Sequence, residues 1–195
     1  MRVVDAHPVE LVLPDEPAPV RLMNTTWTAR DGVFDALADV SDLRVFLAAI
    51  GRPVPSDVGP THLAAVHELR TGLRTLAEAA RRPAAACHSE WDAAVETINR
   101  ALALAPAVDV LTATSEGMTL SRADGASFFA SLSRLAREGA EVLADRSRPL
   151  RACHAPGCGL YFVRNHPRRR WCGTDCGNRV RAARYYQRHR GNGSS

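Results

Sequence analysis

The chain has no lysine; all 25 of its cationic residues are arginine. In an alanine- and arginine-rich sequence this reflects composition and carries no functional weight. Other absences exclude more. No run of about 18 apolar residues occurs, so no membrane-spanning helix is expected. The N-terminus carries Asp5, Glu10, Asp15 and Glu16 among early prolines and lacks the basic-then-apolar order of a signal peptide. A cytoplasmic location follows as the expectation, and there thiols stay reduced. No Gly-rich phosphate loop, strand-borne nucleophile or acid/base pair stands out. His62 and His67 invite a metalloprotease reading, but they are five positions apart. That places them about 140° apart around a helix, whereas a zinc-binding pair needs the i, i+4 step. The chain is therefore expected not to be an enzyme.

What the sequence does hold is concentrated at one end. Four of its five cysteines fall in the last 43 residues, as Cys153-His-Ala-Pro-Gly-Cys158, then 13 residues, then Cys172-Gly-Thr-Asp-Cys176. Two close pairs joined by a short loop can set four thiolates around one Zn²⁺ at about 2.3 Å each. Disulfides or free buried thiols are the alternative; the spacing and the reducing compartment favour one structural zinc. All four ligand positions are then filled by protein, which leaves no open position for catalysis. Cys87 stands alone and reads as a small buried apolar residue.

Charge is split the same way. Residues 151–195 hold ten arginines and one acid, Asp175, a formal +9; residues 1–150 hold fifteen arginines and twenty acids, a formal −5. Four thiolates and one Zn²⁺ bring the tail to about +7. Such a basic module suggests a polyanionic partner. Candidate contacts are Arg168, Arg169, Arg170 and Arg179 beside the cysteines, and Arg181, Arg184 and Arg188, which share one helical face at steps of three and four. The alternative is a solvated or protein-binding face, but the helix lacks the acids that would relieve self-repulsion.

Periodicity gives a mainly α fold with a small antiparallel β-hairpin, an α+β chain. Residues 1–20 read as partly ordered, and Val20 to Trp27 as a short extended or helical entry. Ser41 can cap a helix ended by Gly51. A longer helix is expected from about Pro60 to Arg82, with Leu63, Val66, Leu69, Leu73 and Leu76 on its inner face. Ser89 can cap a third, with Trp91, Val95, Ile98 and Leu102 inward. Val108 to Arg122, turning at Ser115-Glu116-Gly117, reads as the hairpin. Asp124 can cap a fourth helix carrying Phe128, Phe129, Leu132 and Leu135, and Arg146 to Pro149 forms a linker. Trp27, Phe46, Trp91 and Phe128 could line a ligand pocket, although helical spacing favours core packing. In the tail, Leu160–Val163 and Arg168–Trp171 are expected to pair as a hairpin. Thr174 should cap a helix, giving a treble-clef-like zinc finger. The expected domains are 1–148 (helical), 149–190 (finger) and 191–195 (disordered).

The segment Arg169-Arg-Trp-Cys172-Gly-Thr-Asp-Cys176-Gly-Asn-Arg179 resembles the CGNR zinc finger, named for the residues at Cys176 to Arg179. That finger sits C-terminal to a domain called ABATE, and Leu22-Met23-Asn24-Thr25 resembles the Leu-x-Asn-Thr stretch of that domain. One departure is visible: Phe162-Val163 is followed by Arg164, where the family often has an acid. The resemblance implies a stress-induced transcription regulator. Its finger would contact DNA, and its N-terminal domain would sense a small molecule, dimerise, or both. Rival readings are an RNA-binding module that stacks bases on Tyr161, Phe162, Tyr185 and Tyr186, and a small-molecule enzyme with an accessory finger.

Overall fold

The computed structural model describes residues 13–29, 32–79, 88–123 and 125–190. The expected disordered tail at 191–195 lies outside them, as do Cys87 and Asp124. The order of elements is α1 (Ala18–Met23), β1 (Thr26–Ala29), β2 (Gly32–Asp35), α2 (Val40–Ala49), α3 (Pro60–Ala79), α4 (His88–Ala103), β3 (Val108–Thr114), β4 (Gly117–Ala123), α5 (Phe128–Ala144), β5 (Leu150–Ala152), β6 (Tyr161–Val163) and α6 (Thr174–Arg190). The described residues are mostly helical, with three two-stranded antiparallel sheets, β1–β2, β3–β4 and β5–β6. The first of these had no expectation in the sequence.

Helix ends differ from expectation chiefly in the choice of cap. Asp39, not Ser41, caps α2: its carboxylate accepts from the Asp42 N–H at 3.0 Å, and Asp42 returns the bond to the Asp39 N–H. The helix closes as foreseen at Gly51, where φ is +67°. Arg52 N–H bonds back to Leu47 O and Gly51 N–H to Ala48 O, the pairing that a left-handed residue after a helix makes possible. Ser127 caps α5 by accepting from Ala130 N–H at 3.1 Å. Ser89 falls inside α4. The described part of α3 ends at Ala79, short of the expected Arg82.

Leu22, Leu37, Leu43, Phe46, Leu69, Leu73, Leu135 and Ala136 form the centre of the main core, each at most 1% exposed. Gly139 lets α5 approach α3, since a Cβ there would lie 2.6 Å from Leu73 Cδ2. On α4 the buried residues are Ala94, Ile98 and Ala101, while Val95 faces solvent. Phe46 and Phe128 are core residues, and Trp27 instead stacks on its cross-strand partner Phe34. These aromatics do not line a shared ligand box. His62 accepts from Gly59 N–H and packs on Phe128; His67 bonds to Leu37 O. Each histidine is thus engaged separately.

The core does not stop at residue 148. Ala152, Tyr161 and Val163 belong to the same buried cluster as the helices. Phe162, between them in sequence, joins a second cluster with Cys153, Ala155, Cys172, Cys176 and Val180. Alternate residues of a strand point to opposite faces, so β6 lies between two cores and all three of its residues are buried.

Candidate metal centre and nucleic-acid interface

The sulfurs of Cys153, Cys158, Cys172 and Cys176 all lie within 4.8 Å of one another. Cys158 and Cys172 are 3.8 Å apart, and Cys172 and Cys176 are 3.4 Å apart. A tetrahedron with 2.3 Å zinc–sulfur bonds has edges of about 3.8 Å, whereas a disulfide needs about 2.05 Å. Both the donor set and its spacing fit one zinc ion. Cys153 and Cys158 sit in the loop that joins β5 to β6, and Cys172 and Cys176 straddle the start of α6. This is the hairpin-then-helix arrangement of a treble clef, with one strand changed from expectation. The partner of β6 is β5, in the register Leu150↔Val163, Arg151↔Phe162 and Ala152↔Tyr161. Residues 168–171 form no strand. Arg169 takes their place, donating to the carbonyls of Val163 (3.0 Å) and Cys172 (2.9 Å).

Sulfurs this close cannot all ionise without a cation. A hydrogen bond from Cys172, with the Leu160 N–H, holds the Cys158 thiol down at about 5. The same Cys158 contact and burial push Cys172 well up, and burial pushes Cys176 up to about 11. A divalent ion removes this conflict and leaves four thiolates. Helix α6 begins at Thr174, so Gly173, whose carbonyl accepts from Gly177 N–H, holds the cap position expected for Thr174.

The finger is bolted to the helical domain through polar groups that sequence reasoning missed. Asn24, fully buried after α1, donates through Nδ2 to Tyr161 O at 2.8 Å and accepts at Oδ1 from Tyr161 N–H at 2.7 Å. It therefore pairs with β6 as a neighbouring strand would. Glu16, 7% exposed, accepts from Val163 N–H at 2.9 Å and pairs with Arg169 at 2.6 Å. Arg74 on α3 donates to Met23 O and lies over the Tyr161 ring. The segment around Glu16, expected to be only partly ordered, is thus part of the junction. Residues 145–149 are also ordered locally: Asp145 accepts from Ser147 and Arg148, which draws its carboxyl down to about 2.

The two halves match known families. Residues 16–146 match ABATE, described as "putative stress-induced transcription regulator", and residues 149–189 match the CGNR zinc finger. The chain belongs to the ABATE family. None of the curated proteins matches it. The four residues that name the CGNR finger have visible roles here. Cys176 completes the sulfur cluster. Gly177 admits Trp171, since a Cβ would lie 3.2 Å from its Cδ1. Asn178 accepts from Arg181, and Arg179 donates to Pro156 O at 2.9 Å, tying α6 to the first cysteine loop. Asn24 of the ABATE Leu-x-Asn-Thr stretch is the strand-like clamp on the finger.

The seven arginines expected to meet a polyanion differ in exposure. Arg169 is half-buried, with its guanidinium held by Glu16 and main-chain carbonyls and laid over Phe162. Arg168, Arg170, Arg179, Arg181, Arg184 and Arg188 are exposed. On α6, Val180 is buried and Ala183 half-buried, and every residue from 184 to 189 is exposed. The last turns of α6 therefore stand out from the body. Arg181, Arg184, Tyr185 and Arg188 line one side of them. Tyr161 and Phe162 are buried in β6 and cannot stack on bases; Tyr185 and Tyr186 are exposed. No helix among the described residues is long and apolar enough to cross a membrane.

Proposed function

We propose that this chain is a cytoplasmic DNA-binding transcription regulator without catalytic activity, in which α6 carries the finger's contact with duplex DNA. The observation that carries the reading is the free-standing end of α6. It presents Arg181, Arg184 and Arg188 on one side and has Asp175 as its one acid, a full turn or more away. A helix that is polar all round and unpacked gains little from the protein itself, whereas phosphates neutralise its charge. Arg168 and Arg170, exposed and close in sequence to Cys172, are the residues that would read guanine edges. Arg169 and Arg179 act as positioning residues. The zinc holds the base of α6 and supplies no chemistry beyond that.

Sensing belongs at the junction in this reading. A pocket of about 640 Å³ is lined by Leu13 and Trp27 from the helical domain and by Leu160, Thr174, Arg179 and the sulfur-bearing Cys158, Cys172 and Cys176 from the finger, within the usual size for small-molecule sites. A ligand there would touch both the helical domain and the start of α6. Dimerisation is the second role of the N-terminal domain.

The test is competition between duplex DNA and structured RNA at fixed salt, followed by a salt series with Arg181, Arg184 and Arg188 all changed to Gln. The zinc-loaded chain should prefer duplex DNA, and the triple variant should lose about 0.9 in log–log salt slope for each phosphate contact removed. Preference for RNA would shift the reading to Tyr185 and Tyr186 as stacking platforms. An unchanged slope with zinc retained would make this face a solvated or protein-binding one.

A further inference from the structure

The β3–β4 hairpin is exposed on both faces along its whole described length. Among the described elements its extensive packing is of β3 on β4 alone. It nevertheless carries large apolar side chains: Leu111 is 62% exposed, Leu120 68% and Met118 80%. A two-stranded hairpin by itself is marginally stable in water, and the register is specific about where these residues sit. Leu111 pairs with Leu120 at the fourth of seven rungs, the midpoint of the ladder, and Ala113 pairs with Met118 two rungs nearer the tip on the same face. Val108, Val110, Thr112, Thr119 and Ser121 occupy the opposite face, whose one strongly exposed apolar residue in this set, Val108 at 63%, lies at the end of the ladder.

We propose that this hairpin is a self-association arm, and that two copies of the chain pack their Leu111–Leu120 faces together about a two-fold axis. Three observations select a second copy as the occupant. The strands and turn hold Asp109, Glu116 and Arg122, a formal −1, which suits neither DNA nor an anionic membrane. The apolar pair is at the ladder's midpoint, so a two-fold axis there lays Leu111 and Leu120 of one copy on the same residues of the other. Each patch then meets its own copy, the self-pairing that an isologous interface needs. A seven-rung face about 20 Å long buries on the order of 1,000 Å² over two copies, the lower limit for a specific interface. The dimer is therefore reversible, in the micromolar range. The inference rests on the regulator reading only for its consequence, that two copies of α6 would address paired half-sites.

The test is sedimentation equilibrium of the zinc-loaded full chain without DNA, across the micromolar range. The wild type should pass from monomer to dimer. Leu111→Glu with Leu120→Glu should weaken association by more than about 100-fold by burying unpaired carboxylates. Thr112→Glu, on the other face, should leave it within about threefold. Zinc content and far-UV spectrum must match the wild type in both variants. Wild-type amide exchange across residues 108–123 should also slow as concentration rises, a readout that needs no variant. A wild type that stays monomeric, equal dimerisation by the Leu double variant, or equal loss in Thr112→Glu would overturn the proposal. Binding of the double variant to a single half-site is read separately. If the chain dimerises through this face but binds no DNA, the arm stands and the regulator reading fails.

Discussion

Two hairpins of this chain are built on the same antiparallel pairing and have opposite surroundings. In β5–β6, the residues of β6 alternate between two cores, and side chains of Asn24 and Glu16 bond its main chain. In β3–β4, both faces are exposed among the described residues. The first holds finger and helical domain together; the second reaches away from both. The difference shows that the finger is no appendage. Its hairpin is a layer of the main core, and its zinc-bearing loop and helix are anchored through that layer.

The comparison breaks most severely if the zinc cluster is lost. Cys172→Ser should remove one of four sulfurs from a site whose binding energy is of order 10 kcal/mol in small zinc modules. Because Phe162 sits in the cysteine cluster and Tyr161 in the main core, the loss should lower the unfolding midpoint of the whole chain, as a single transition by circular dichroism. Two separate transitions would mean that the finger folds by itself.

Asn24→Ala should come next. It leaves the Tyr161 N–H and carbonyl buried without partners, at about 1–3 kcal/mol for each group. Urea unfolding of the zinc-loaded variant should show the shift without a change in zinc content.

The β1–β2 hairpin lies between the two extremes, and a smaller, pH-dependent effect is expected there. Burial pushes the Asp35 carboxyl up, but the Arg70 guanidinium and the Leu37 N–H outweigh it and hold the group below its usual value. A carboxyl lowered in the folded state stabilises above its unfolded value near 3.8, and that contribution is lost as pH falls through the lower, folded value. Asp35→Asn should therefore lower stability at neutral pH and converge with the wild type in acid, as read from melting temperature against pH. The smallest effect should be that of Leu120→Thr in β4. In dilute protein it should change stability by less than about 0.5 kcal/mol, as for a surface site.

Much of the site was legible because its signals are local. Cysteine spacing foretold the cluster, and steps of three and four foretold the Arg181–Arg184–Arg188 face. The inner face of α3 followed from the same periodicity, as did Phe128, Leu132 and Leu135 on α5, whereas Phe129 beside them is 43% exposed. What was not legible depends on contacts distant in sequence. Asn24 and Tyr161 are 137 positions apart, and nothing in Leu-Met-Asn-Thr reveals that its amide will imitate a strand. The same holds for Glu16, whose partner Arg169 looked like one more cation in a basic run. The pairing of β6 was misread because its three residues give little periodicity, and the arginine-rich return segment was nearer to hand than Leu150–Ala152. Caps were misplaced where several candidates stood within a turn. For α2, the Asp39-x-x-Asp42 spacing already held the better answer.

The central claim is that zinc centre and helical domain form one cooperative unit through β6. Amide hydrogen exchange of the full chain, before and after zinc is removed by a chelator, tests it most directly. The account predicts that protection is lost beyond residues 149–190, in α1 and at Asn24, because α1 packs against β6 and Asn24 clamps the Tyr161 main chain on the strand beneath the zinc loop. Loss confined to 149–190, with α1 and α3 as protected as before, would contradict it.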